Sequence, residues 1–428
     1  MPPRLQVALD FVNLSEALEC ARRAVEGGAD ILEVGTPLLK AEGLAAVRAL
    51  RSEFPVLPIV CDTKTMDAGR TEMEGAAKAG AAIGTVMGAA SDATIRECVE
   101  AAANYGFKVE LDLLGVVDPV ARARRGEELG VHLIGVHCPI DDQMEGRDPF
   151  AVLRAVAEAV SIPVAVAGGI NSETAARAVA AGASVVIVGG AINKAADPRE
   201  AARVIRGAML SGEAVETTLF KRATGDEIRR ILQMVSTPNI SDGAHRLRCL
   251  EGILPRVPGS KAVGPAFTVR TAPGDWAKPV EAIDHAPAGS VIVVDAGGVP
   301  PAIWGELATH SAVQRRLAGI VVDGAIRDTP EIRRLGFPAF SRQVTSHAGE
   351  AKGFGEEDVP VLVSAIRVFP GDWVVGDDDG VVVLPRAKAA EYANRAMDCL
   401  EKENRIRRRI DEGSTLNQVA EIYRWEKK

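Results

Sequence analysis

The sequence predicts an α/β protein of two domains, the first of which is a (β/α)8 TIM barrel. A short apolar run, a turn and an amphipathic stretch recur eight times before residue 211. Apolar strands that alternate with helices indicate a parallel sheet, and eight such units are typical of a barrel. The chain has 428 residues, enough for a second domain. A doubly wound open sheet is the alternative, although no G-x-G-x-x-G pattern follows the first strand.

The predicted strands of the first half are nearly continuous apolar runs, and amphipathic stretches lie between them. The strands are expected at Leu5–Asp10, Asp30–Gly35, Val56–Asp62, Ala82–Met87, Lys108–Leu114, His132–His137, Pro163–Gly168 and Val185–Gly190. Helices are expected, for example, at Ser15–Glu26, Ser91–Asn104 and Ser172–Ala181.

The pattern changes near Ser211, so the barrel is assigned to residues 1–211, a linker to 212–222 and a second domain to 223–428. This second domain is also expected to be α/β. Its predicted elements are a helix at Gly225–Val235, strands at Ser290–Asp295 and Ala318–Asp323 with a helix between them, a strand pair within 371–383 and a charged helix at Ala387–Asp411.

Composition and charge exclude several classes of function. The chain is 47% hydrophobic and 25% charged with a net charge of −8, so no basic field favours nucleic acid. Its six cysteines show no C-x-x-C spacing, which indicates reduced thiols in a cytoplasmic protein without a cysteine zinc site. No apolar run reaches about 18 residues, and the first residues lack a signal-peptide pattern, so no membrane span is expected.

The segment Cys61–Asp67 carries the densest group of reactive side chains, directly after an apolar run. If the segment is extended, Asp62 and Lys64 point to the same side, because side chains repeat every two residues along a strand. Asp67 follows on the next turn. Such a cluster can hold a divalent cation, move a proton or stabilise an oxyanion. A solvated salt bridge at a strand end is the alternative.

Reactive residues also stand at the ends of other predicted strands, namely Asp10, Glu33, Asp112 and His137. The carboxyl ends of barrel strands share one face, so we expect these side chains near Asp62. A carboxylate at a buried strand end, such as Glu33, needs a partner. Asp10 and Asp112 could instead cap the following helices, and His137 could be a core histidine.

The last two predicted barrel strands end in glycine pairs, Gly168-Gly169 and Gly189-Gly190. Glycines that precede a helix let backbone N–H groups approach a phosphate. Asn171-Ser172 is a plausible helix N-cap. Tight turns also use glycine pairs. One half of the rim is therefore predicted to bind a phosphate, and the other to hold acid, base and metal ligands.

The motifs of residues 3–210 resemble the 3-hexulose-6-phosphate synthase family of the orotidine-5′-monophosphate decarboxylase superfamily. The resemblance implies a Mg²⁺-dependent lyase, with Mn²⁺ as an alternative ion, that reversibly joins D-ribulose 5-phosphate and formaldehyde to give D-arabino-hex-3-ulose 6-phosphate. The motifs that carry it are Val7–Asp10, Glu33–Leu38, Asp62–Asp67, Gly135–His137, Asp141–Gln143 and Ala165–Ile170.

The resemblance also implies roles for the rim residues. Glu33 and Asp62 would hold Mg²⁺, which polarises the substrate carbonyl. Lys64 would add a positive contact to the enediolate. His137 would carry the proton, because its pKa lies near working pH.

Further roles are implied for Asp10 and Asp67, which would orient Lys64 and bind substrate hydroxyls. In this superfamily the residue that matches Asp67 comes from a partner subunit, which implies a homodimer. The phosphate would be held by Gly168, Gly169, Ile170, Asn171, Gly189 and Gly190.

Two positions depart from the family pattern. Thr63 stands where the family often has Leu, and the residues after His137 differ from the usual Thr-Gly-x-Asp-x-Gln. The sister family, 3-keto-L-gulonate-6-phosphate decarboxylases, usually has an arginine soon after this histidine. Here Pro139 occupies that region and the first arginine is Arg147. The absence of that early arginine favours the synthase, and the departures leave open an unusual acceptor or a different pentulose phosphate. A keto-sugar-phosphate decarboxylase is the alternative.

In the second half, Arg327 and Asp328 follow Glu306 after twenty intervening residues. An arginine presents a planar fork to a carboxylate, and an aspartate beside it could hold hydrated Mg²⁺. An Arg-Asp neighbour pair on a surface is the alternative. The motifs around this group are Asp295–Gly298, Trp304–Glu306 and Gly336–Phe340.

With these motifs, residues 222–390 resemble the ribonuclease-activity regulator A-like fold, which includes class II 4-hydroxy-4-methyl-2-oxoglutarate aldolases. The resemblance implies a swivelling β/β/α domain in trimers or hexamers, with Arg327 and Glu306 at a site for a 2-oxo acid and a metal near Asp328. Glu306 replaces the aspartate typical of those aldolases, which leaves the substrate open.

The leading hypothesis is therefore a bifunctional lyase, in which an aldolase or oxaloacetate decarboxylase follows the barrel. The alternative makes the second domain a non-catalytic module that binds a protein such as a ribonuclease. Dimeric barrels and trimeric second domains together would be satisfied by a hexamer.

Overall fold

A computed structural model describes residues 2–217, 222 and 227–420. The chain divides into two compact units. Unit 1 consists of Met1–Gln143 and Arg147–Lys221, and unit 2 consists of Met144–Gly146 and Arg222–Lys428.

The first unit alternates strands and helices along its whole length. Its strands are β1 (Arg4–Leu9), β2 (Ile31–Val34), β3 (Ile59–Thr65), β4 (Ile83–Met87), β5 (Lys108–Asp112), β6 (Leu133–His137), β7 (Val164–Ala167) and β8 (Val185–Val188). Its helices are α1 (Leu14–Glu26), α2 (Thr36–Glu42), α3 (Ala45–Glu53), α4 (Gly69–Ala79), α5 (Asp92–Tyr105), α6 (Pro119–Glu128), α7 (Ile140–Met144), α8 (Phe150–Ala157), α9 (Ala175–Ala180), α10 (Gly190–Asn193) and α11 (Pro198–Ser211).

The eight strands form a closed parallel barrel, because β8 pairs with β1. The predicted barrel is confirmed, and the open-sheet alternative is wrong. Two apolar layers stabilise it, one between strands and helices and one inside the barrel. Small and branched side chains fill the inside of the barrel, so its interior is a packed core. The carboxyl ends of the strands lie together at one end of this core. The inner layer consists of Ala8, Ile31, Val60, Ile83, Leu133, Ala165, Val185 and Ile187.

Strand β3 differs from its prediction at both ends. It begins at Ile59 rather than Val56, and it continues past Asp62 to Thr65. The pairing with β4 shifts register between Cys61 and Thr65. Within this irregularity Lys64 has a φ of 47°, so the segment is not regularly extended there.

Within its described residues, the second unit contains a nine-stranded mixed sheet, a separate two-stranded sheet and several helices. Its strands are β9 (Leu254–Pro255), β10 (Ala262–Thr271), β11 (Val291–Asp295), β12 (Ala302–Trp304), β13 (Gly319–Ile326), β14 (Ala339–Val344), β15 (Gly355–Glu357), β16 (Val361–Val363), β17 (Ile366–Val368), β18 (Trp373–Asp377) and β19 (Gly380–Leu384). Its helices are α12 (Ile228–Met234), α13 (Thr237–Gly243), α14 (Ala277–His285), α15 (Glu306–Gln314), α16 (Thr329–Leu335), α17 (Ala389–Asp411) and α18 (Leu416–Ala420), with a 3-10 turn at Arg386–Lys388.

The sheet of the second unit has the order β19-β18-β10-β11-β13-β14-β9. Strands β10, β11, β13 and β14 are parallel to one another. Strand β12 pairs with the last residues of β13, beyond the stretch of β13 that pairs with β11. The predicted helices and strands of this half are present with shifts of a few residues at their ends. The predicted helix Gly225–Val235 is observed as α12, while residues 225 and 226 lie outside the described residues.

Within the described residues, none of the helices combines the length and apolarity that crossing a bilayer requires. Four of the six cysteines are buried thiols, while Cys399 is half-buried and Cys249 is exposed.

Candidate functional sites

The side chain of Lys64 links two strand ends of the barrel. Its Nζ lies 3.1 Å from Oδ2 of Asp62 on β3 and 3.1 Å from Oδ2 of Asp112 at the end of β5. Burial alone would lower the pKa of Lys64, but the two carboxylates outweigh it and the pKa is raised. Lys64 is therefore held as an ammonium ion.

Asp112 joins this pair to His137, the last residue of β6. Its Oδ2 lies 3.4 Å from Nδ1 of His137, and its Oδ1 accepts a hydrogen bond of 2.9 Å from the backbone of Leu114. Burial pushes the pKa of Asp112 upward, yet the contact with His137 and the charge of Lys64 bring that pKa down to about 2. The helix-cap alternative for Asp112 is wrong, because Asp118 caps α6.

Two threonines that the sequence analysis did not select hold Asp62. The hydroxyl of Thr36 donates to Oδ2 at 2.5 Å, and the hydroxyl of Thr85 donates to Oδ1 at 3.0 Å. The hydroxyl of Thr63 donates to the carbonyl oxygen of Thr85 at 2.7 Å, where the β3–β4 ladder is interrupted. The departure at Thr63 thus supplies a bond that leucine could not make.

Glu33 lies buried on β2 beside Asp62. Its Oε2 accepts a hydrogen bond of 2.7 Å from the Nε2 of Gln6 on β1. Burial raises the pKa of Glu33 well above its ordinary range, and the charges of Asp62 and Asp10 raise it further. A carboxyl group in this position gains from a nearby cation, which would return it to the ionised form.

Asp10 lies at the mouth of the barrel, directly after β1, with one side open to solvent. Crowding by protein atoms on its other sides and the charge of Asp62 raise the pKa of Asp10 to about 6. The ammonium of Lys64 donates hydrogen bonds to Asp62 and Asp112 rather than to Asp10. The cap alternative for Asp10 is wrong, because Asn13 caps α1.

Glu110 is a further buried acid that the sequence analysis missed. Burial and the charges of Asp112 and Asp62 raise its pKa to about 8. Its Oε2 has no hydrogen-bond partner among the described residues, and its Oε1 lies 2.4 Å from the point where a Cβ on Gly135 would stand. The sequence could have indicated Glu110, because residues two apart on a strand, such as Glu110 and Asp112 on β5, point to the same face.

The acids of this rim are oxygen donors of the kind that a divalent cation binds. Glu33, Asp62, Glu110 and Asp112 are all buried, and the last three interact with the positive charge of Lys64. Burial of several carboxylates is costly unless positive charge compensates them. Mg²⁺ prefers oxygen ligands of this kind. Glu33 and Asp62 are the two acids whose charges interact on adjacent strands.

Asp67 does not join this group within its own chain. It is exposed, and its Oδ1 accepts a hydrogen bond of 2.7 Å from the backbone of Ala68, just before α4. Ala68 has a φ of 53°, and α4 begins at the next residue. The contribution of Asp67 to a partner's site stays a prediction.

The loop after β7 bends sharply at two glycines. Gly168 and Gly169 have φ values of 105° and 72°, which favour glycine. A Cβ on Gly168 would lie 2.5 Å from the carbonyl oxygen of Cys138, so the loop approaches the end of β6 closely. Ile170, which follows, is buried.

Asn171 caps a turn rather than the predicted helix. Its Oδ1 accepts from the backbone N–H groups of Glu173 and Thr174 at 2.9 and 3.2 Å. The helix begins later than predicted, at Ala175. The predicted phosphate contacts of this loop, and those of Gly189 and Gly190 at the start of α10, stay predictions.

In the second unit, Glu306, Arg327 and Asp328 lie together at the carboxyl ends of β12 and β13. The backbone N–H of Arg327 donates to the carbonyl oxygen of Trp304 at 3.0 Å, which places the two ends side by side. Oδ2 of Asp328 accepts a hydrogen bond of 3.2 Å from the backbone of Glu306 and lies 3.4 Å from Nε of Arg327.

Gly305 makes this arrangement possible. A Cβ on Gly305 would lie 2.6 Å from Oδ2 of Asp328 and 3.3 Å from Cγ of Arg327. The sequence analysis also missed His310, whose Nε2 lies 3.6 Å from Oε1 of Glu306 one turn along α15. Both side chains are accessible to solvent, since Arg327 is 44% and Asp328 38% exposed.

Comparison with known proteins agrees with this division. The model of the Orotidine 5'-phosphate decarboxylase / HUMPS family matches residues 3–205, and the model described as RraA-like: Aldolase/RraA matches residues 237–383. A 3-hexulose-6-phosphate synthase of Methylomonas aminofaciens is 43% identical over 203 residues, which are 47% of this chain and 97% of the relative. The corresponding protein of Bacillus subtilis is 41% identical over 209 residues, which are 49% and 99% of the two chains.

Among solved structures, the RNA-processing inhibitor RraA from Thermus thermophilis is 30% identical, covers 35% of this chain and 92% of its own, and has a TM-score of 0.33. The chain belongs to the orotidine 5′-phosphate decarboxylase / HUMPS family through its first half, and an RraA-like domain forms its second half.

Proposed function

We propose that the barrel is a carbon–carbon lyase that joins D-ribulose 5-phosphate to formaldehyde and gives D-arabino-hex-3-ulose 6-phosphate, reversibly. The observation that carries the proposal is the joint anchoring of Lys64 and His137 by Asp112 beside Asp62 and Glu33. A ketose phosphate must lose a proton next to its carbonyl before its carbon can attack an aldehyde. The contacts of Asp112 with Lys64 and with His137, the proposed proton carrier, support this step.

His137 is the residue proposed to move the proton. Its Nδ1 lies beside Oδ2 of Asp112, a contact that orients the ring and leaves the other nitrogen to accept the proton. Removal of the proton at C1 leaves an enediolate, and the ammonium of Lys64 is placed to donate to the developing oxyanion. The C1 carbon then forms the new bond to formaldehyde, whose oxygen takes up the proton.

Glu33 and Asp62 are the residues proposed to hold Mg²⁺ at this rim. When bound, the ion would supply Lewis acidity to the substrate carbonyl and compensate the buried acids. Thr36 and Thr85 fix Asp62 so that its carboxylate keeps its orientation. The sugar phosphate would be bound at the glycine loops after β7 and β8, whose backbone N–H groups suit an anion.

The proposed reaction is tested by incubating the full chain with ribulose 5-phosphate, formaldehyde and Mg²⁺ and measuring the loss of formaldehyde. Chelation should abolish the activity and added Mg²⁺ should restore it. Asp62→Ala should raise the barrier by at least about 3 kcal/mol. If a folded wild-type chain consumes no formaldehyde, the synthase proposal fails. Release of CO2 from 3-keto-L-gulonate 6-phosphate would then favour the decarboxylase alternative.

We also propose that the second domain is a lyase for a small 2-oxo acid. The observation that favours it is the contact of Asp328 with both Arg327 and the backbone of Glu306, which Gly305 permits. Arg327 would bind the substrate carboxylate through its planar fork. Asp328 is suited to a hydrated Mg²⁺ that would stabilise an enolate.

Pyruvate release from 4-hydroxy-4-methyl-2-oxoglutarate and from oxaloacetate tests this second activity. Arg327→Ala should abolish it and leave formaldehyde consumption unchanged. Arg334→Ala is the matched control, because Arg334 is 73% exposed and pairs with Glu331 on the surface of α16. A domain without either activity would favour the alternative of a protein-binding module. Recovery of a bound protein partner such as a ribonuclease would then support that alternative.

A further inference from the structure

A second group of potential metal ligands lies outside both sites described above. It consists of Glu281, His285 and Glu357, each of which offers one ligand atom, and these atoms lie within 4.8 Å of one another. Glu281 and His285 stand one turn apart on α14, so their side chains share a face. Glu357 reaches the same point from β15.

The backbone that presents these ligands is fixed by the sheet. Strand β15 pairs with β10, with Glu357 opposite Val269, and β10 pairs with β11 on its other side. Helix α14 packs against β10 and β15. The three ligand positions are therefore set by regular elements rather than by a loop, which lowers the cost of assembling a site.

Only one of the two carboxylate oxygens of Glu357 has a hydrogen-bond partner among the described residues. Its Oε2 lies 2.7 Å from Nδ1 of His285, but its Oε1 is buried and has no hydrogen-bond partner among the described residues. The Glu357 side chain is only 14% exposed, whereas that of His285 is 54% exposed. An unpaired buried oxygen destabilises the folded state, and more so when it carries charge. A cation bound to this carboxylate would remove that cost.

We propose that Glu281, His285 and Glu357 form a binding site for a divalent first-row transition-metal ion of the Zn²⁺ class. This site is independent of both proposed activities. An imidazole ligand favours such an ion over Mg²⁺, while two carboxylates complete a facial set and leave other positions for water. With bonds of about 2.1 Å the ligand atoms would stand about 3–4 Å apart, which small side-chain rotations provide.

Two groups compete with the ion. Nζ of Lys278 lies 2.7 Å from Oε2 of Glu281, so the ion would use the other oxygen or displace the ammonium. The bond and charge of Glu357 raise the pKa of His285, and a proton therefore occupies the place that the metal would take. Metal binding should release this proton and weaken as pH falls.

The site is tested by titrating the full chain with Zn²⁺ alone, in calorimetry and in equilibrium dialysis. His285→Asn and Glu357→Gln should each bind one equivalent less than the wild type, and Co²⁺ absorption from an imidazole ligand should disappear in His285→Asn. His245→Asn is the matched control, since His245 is also exposed, lies outside the cluster and has a φ of 56°, which asparagine tolerates.

Because the acids of the barrel could also bind Zn²⁺, the result is the difference in stoichiometry between variants rather than the total. Circular dichroism verifies the fold of each variant, and Glu357→Gln stands in if His285→Asn fails to fold. Equal stoichiometry in the wild type, the control and both cluster variants would overturn the proposal.

Discussion

Nζ of Lys64 lies 3.1 Å from Oδ2 of Asp112, forty-eight residues away along the chain. The same oxygen lies 3.4 Å from Nδ1 of His137. One carboxylate therefore aligns the residue proposed to bind the oxyanion with the residue proposed to move the proton. Loss of its charge would affect both at once.

Asp112→Asn should lower kcat/KM for formaldehyde consumption by roughly 100- to 1000-fold, as for other losses of a preorganised electrostatic contact. The amide keeps the shape of the side chain but removes the charge that holds Lys64 and His137. The measurement is the initial rate at saturating Mg²⁺.

Asp118→Asn provides the matched control for this variant. Asp118 caps α6 on the same βα connection, and asparagine is an equally good cap. The control should retain full activity. A rate for Asp112→Asn within a few-fold of the control would contradict the role given to Asp112.

The buried Glu110 should make the barrel less stable as pH rises. Its pKa is raised to about 8 in the folded chain, above an ordinary value of 4.5, so the folded state binds the proton more tightly. Stability is fully present below about pH 4.5 and is lost as pH rises toward 8. Glu110→Gln should remove this pH dependence. The free energy of unfolding of the variant, relative to that of the wild type, should therefore be higher at about pH 8.5 than at about pH 5, by on the order of a few kcal/mol.

Urea unfolding followed by circular dichroism at the two pH values measures this effect. All four tryptophans lie after residue 275, so tryptophan fluorescence reports the second domain and should not change. The exposed Glu158 provides a control, and Glu158→Gln should keep the wild-type pH dependence. A Glu110→Gln barrel with unaltered pH dependence would mean that Glu110 is ionised throughout.

Asp67 should act in a partner's active site, because its carboxylate is exposed and does not contact Lys64 in its own chain. Asp67→Ala and Lys64→Ala chains should each be inactive alone. A heterodimer purified through two different tags should contain one intact site and recover about half of the wild-type activity. An inactive heterodimer would place Asp67 in its own subunit's site, and an active Asp67→Ala chain would place it outside the reaction.

Gly305→Ala should disable the site of the second domain without unfolding it. The new Cβ would stand 2.6 Å from Oδ2 of Asp328, while the φ of −157° suits any residue, so the change acts on this contact. Pyruvate release should fall by about tenfold or more, as for loss of one charged hydrogen bond. Gly207→Ala, which adds a methyl group in open space on α11, is the control. Equal rates for the two variants would remove Asp328 from the mechanism.

The barrel was predictable because its strands are nearly uninterrupted apolar runs that alternate with helices. The network around Asp112 was not, since an acid at a strand end can equally cap the next helix. Whether Asp112 caps a helix or binds Lys64 depends on the backbone of Lys64. Its left-handed conformation directs the side chain from β3 toward Asp112 on β5. Such a conformation in a lysine has no signature in the residue order.

Other misses have similar physical reasons. Thr36 and Thr85 hold Asp62 from neighbouring strand ends, and contacts between strands distant in sequence cannot be read from spacing. Glu110 could have been found from alternation with Asp112. In the second domain the proximity of Glu306 to Arg327 and Asp328 follows from the pairing of β12 with β13, which the motif spacing anticipated without explaining.

Asp10 occupies space that two other positions would otherwise use. A Cβ on Gly35 would lie 2.2 Å from its Oδ1, and a Cβ on Gly189 would lie 2.7 Å from its Oδ2. Glycine at these positions is thus imposed by a neighbouring carboxylate as well as by any ligand. Alanine at position 189 would require the Asp10 side chain to move, so a shorter residue at position 10 should suppress a folding defect of Gly189→Ala in a genetic screen for soluble barrels.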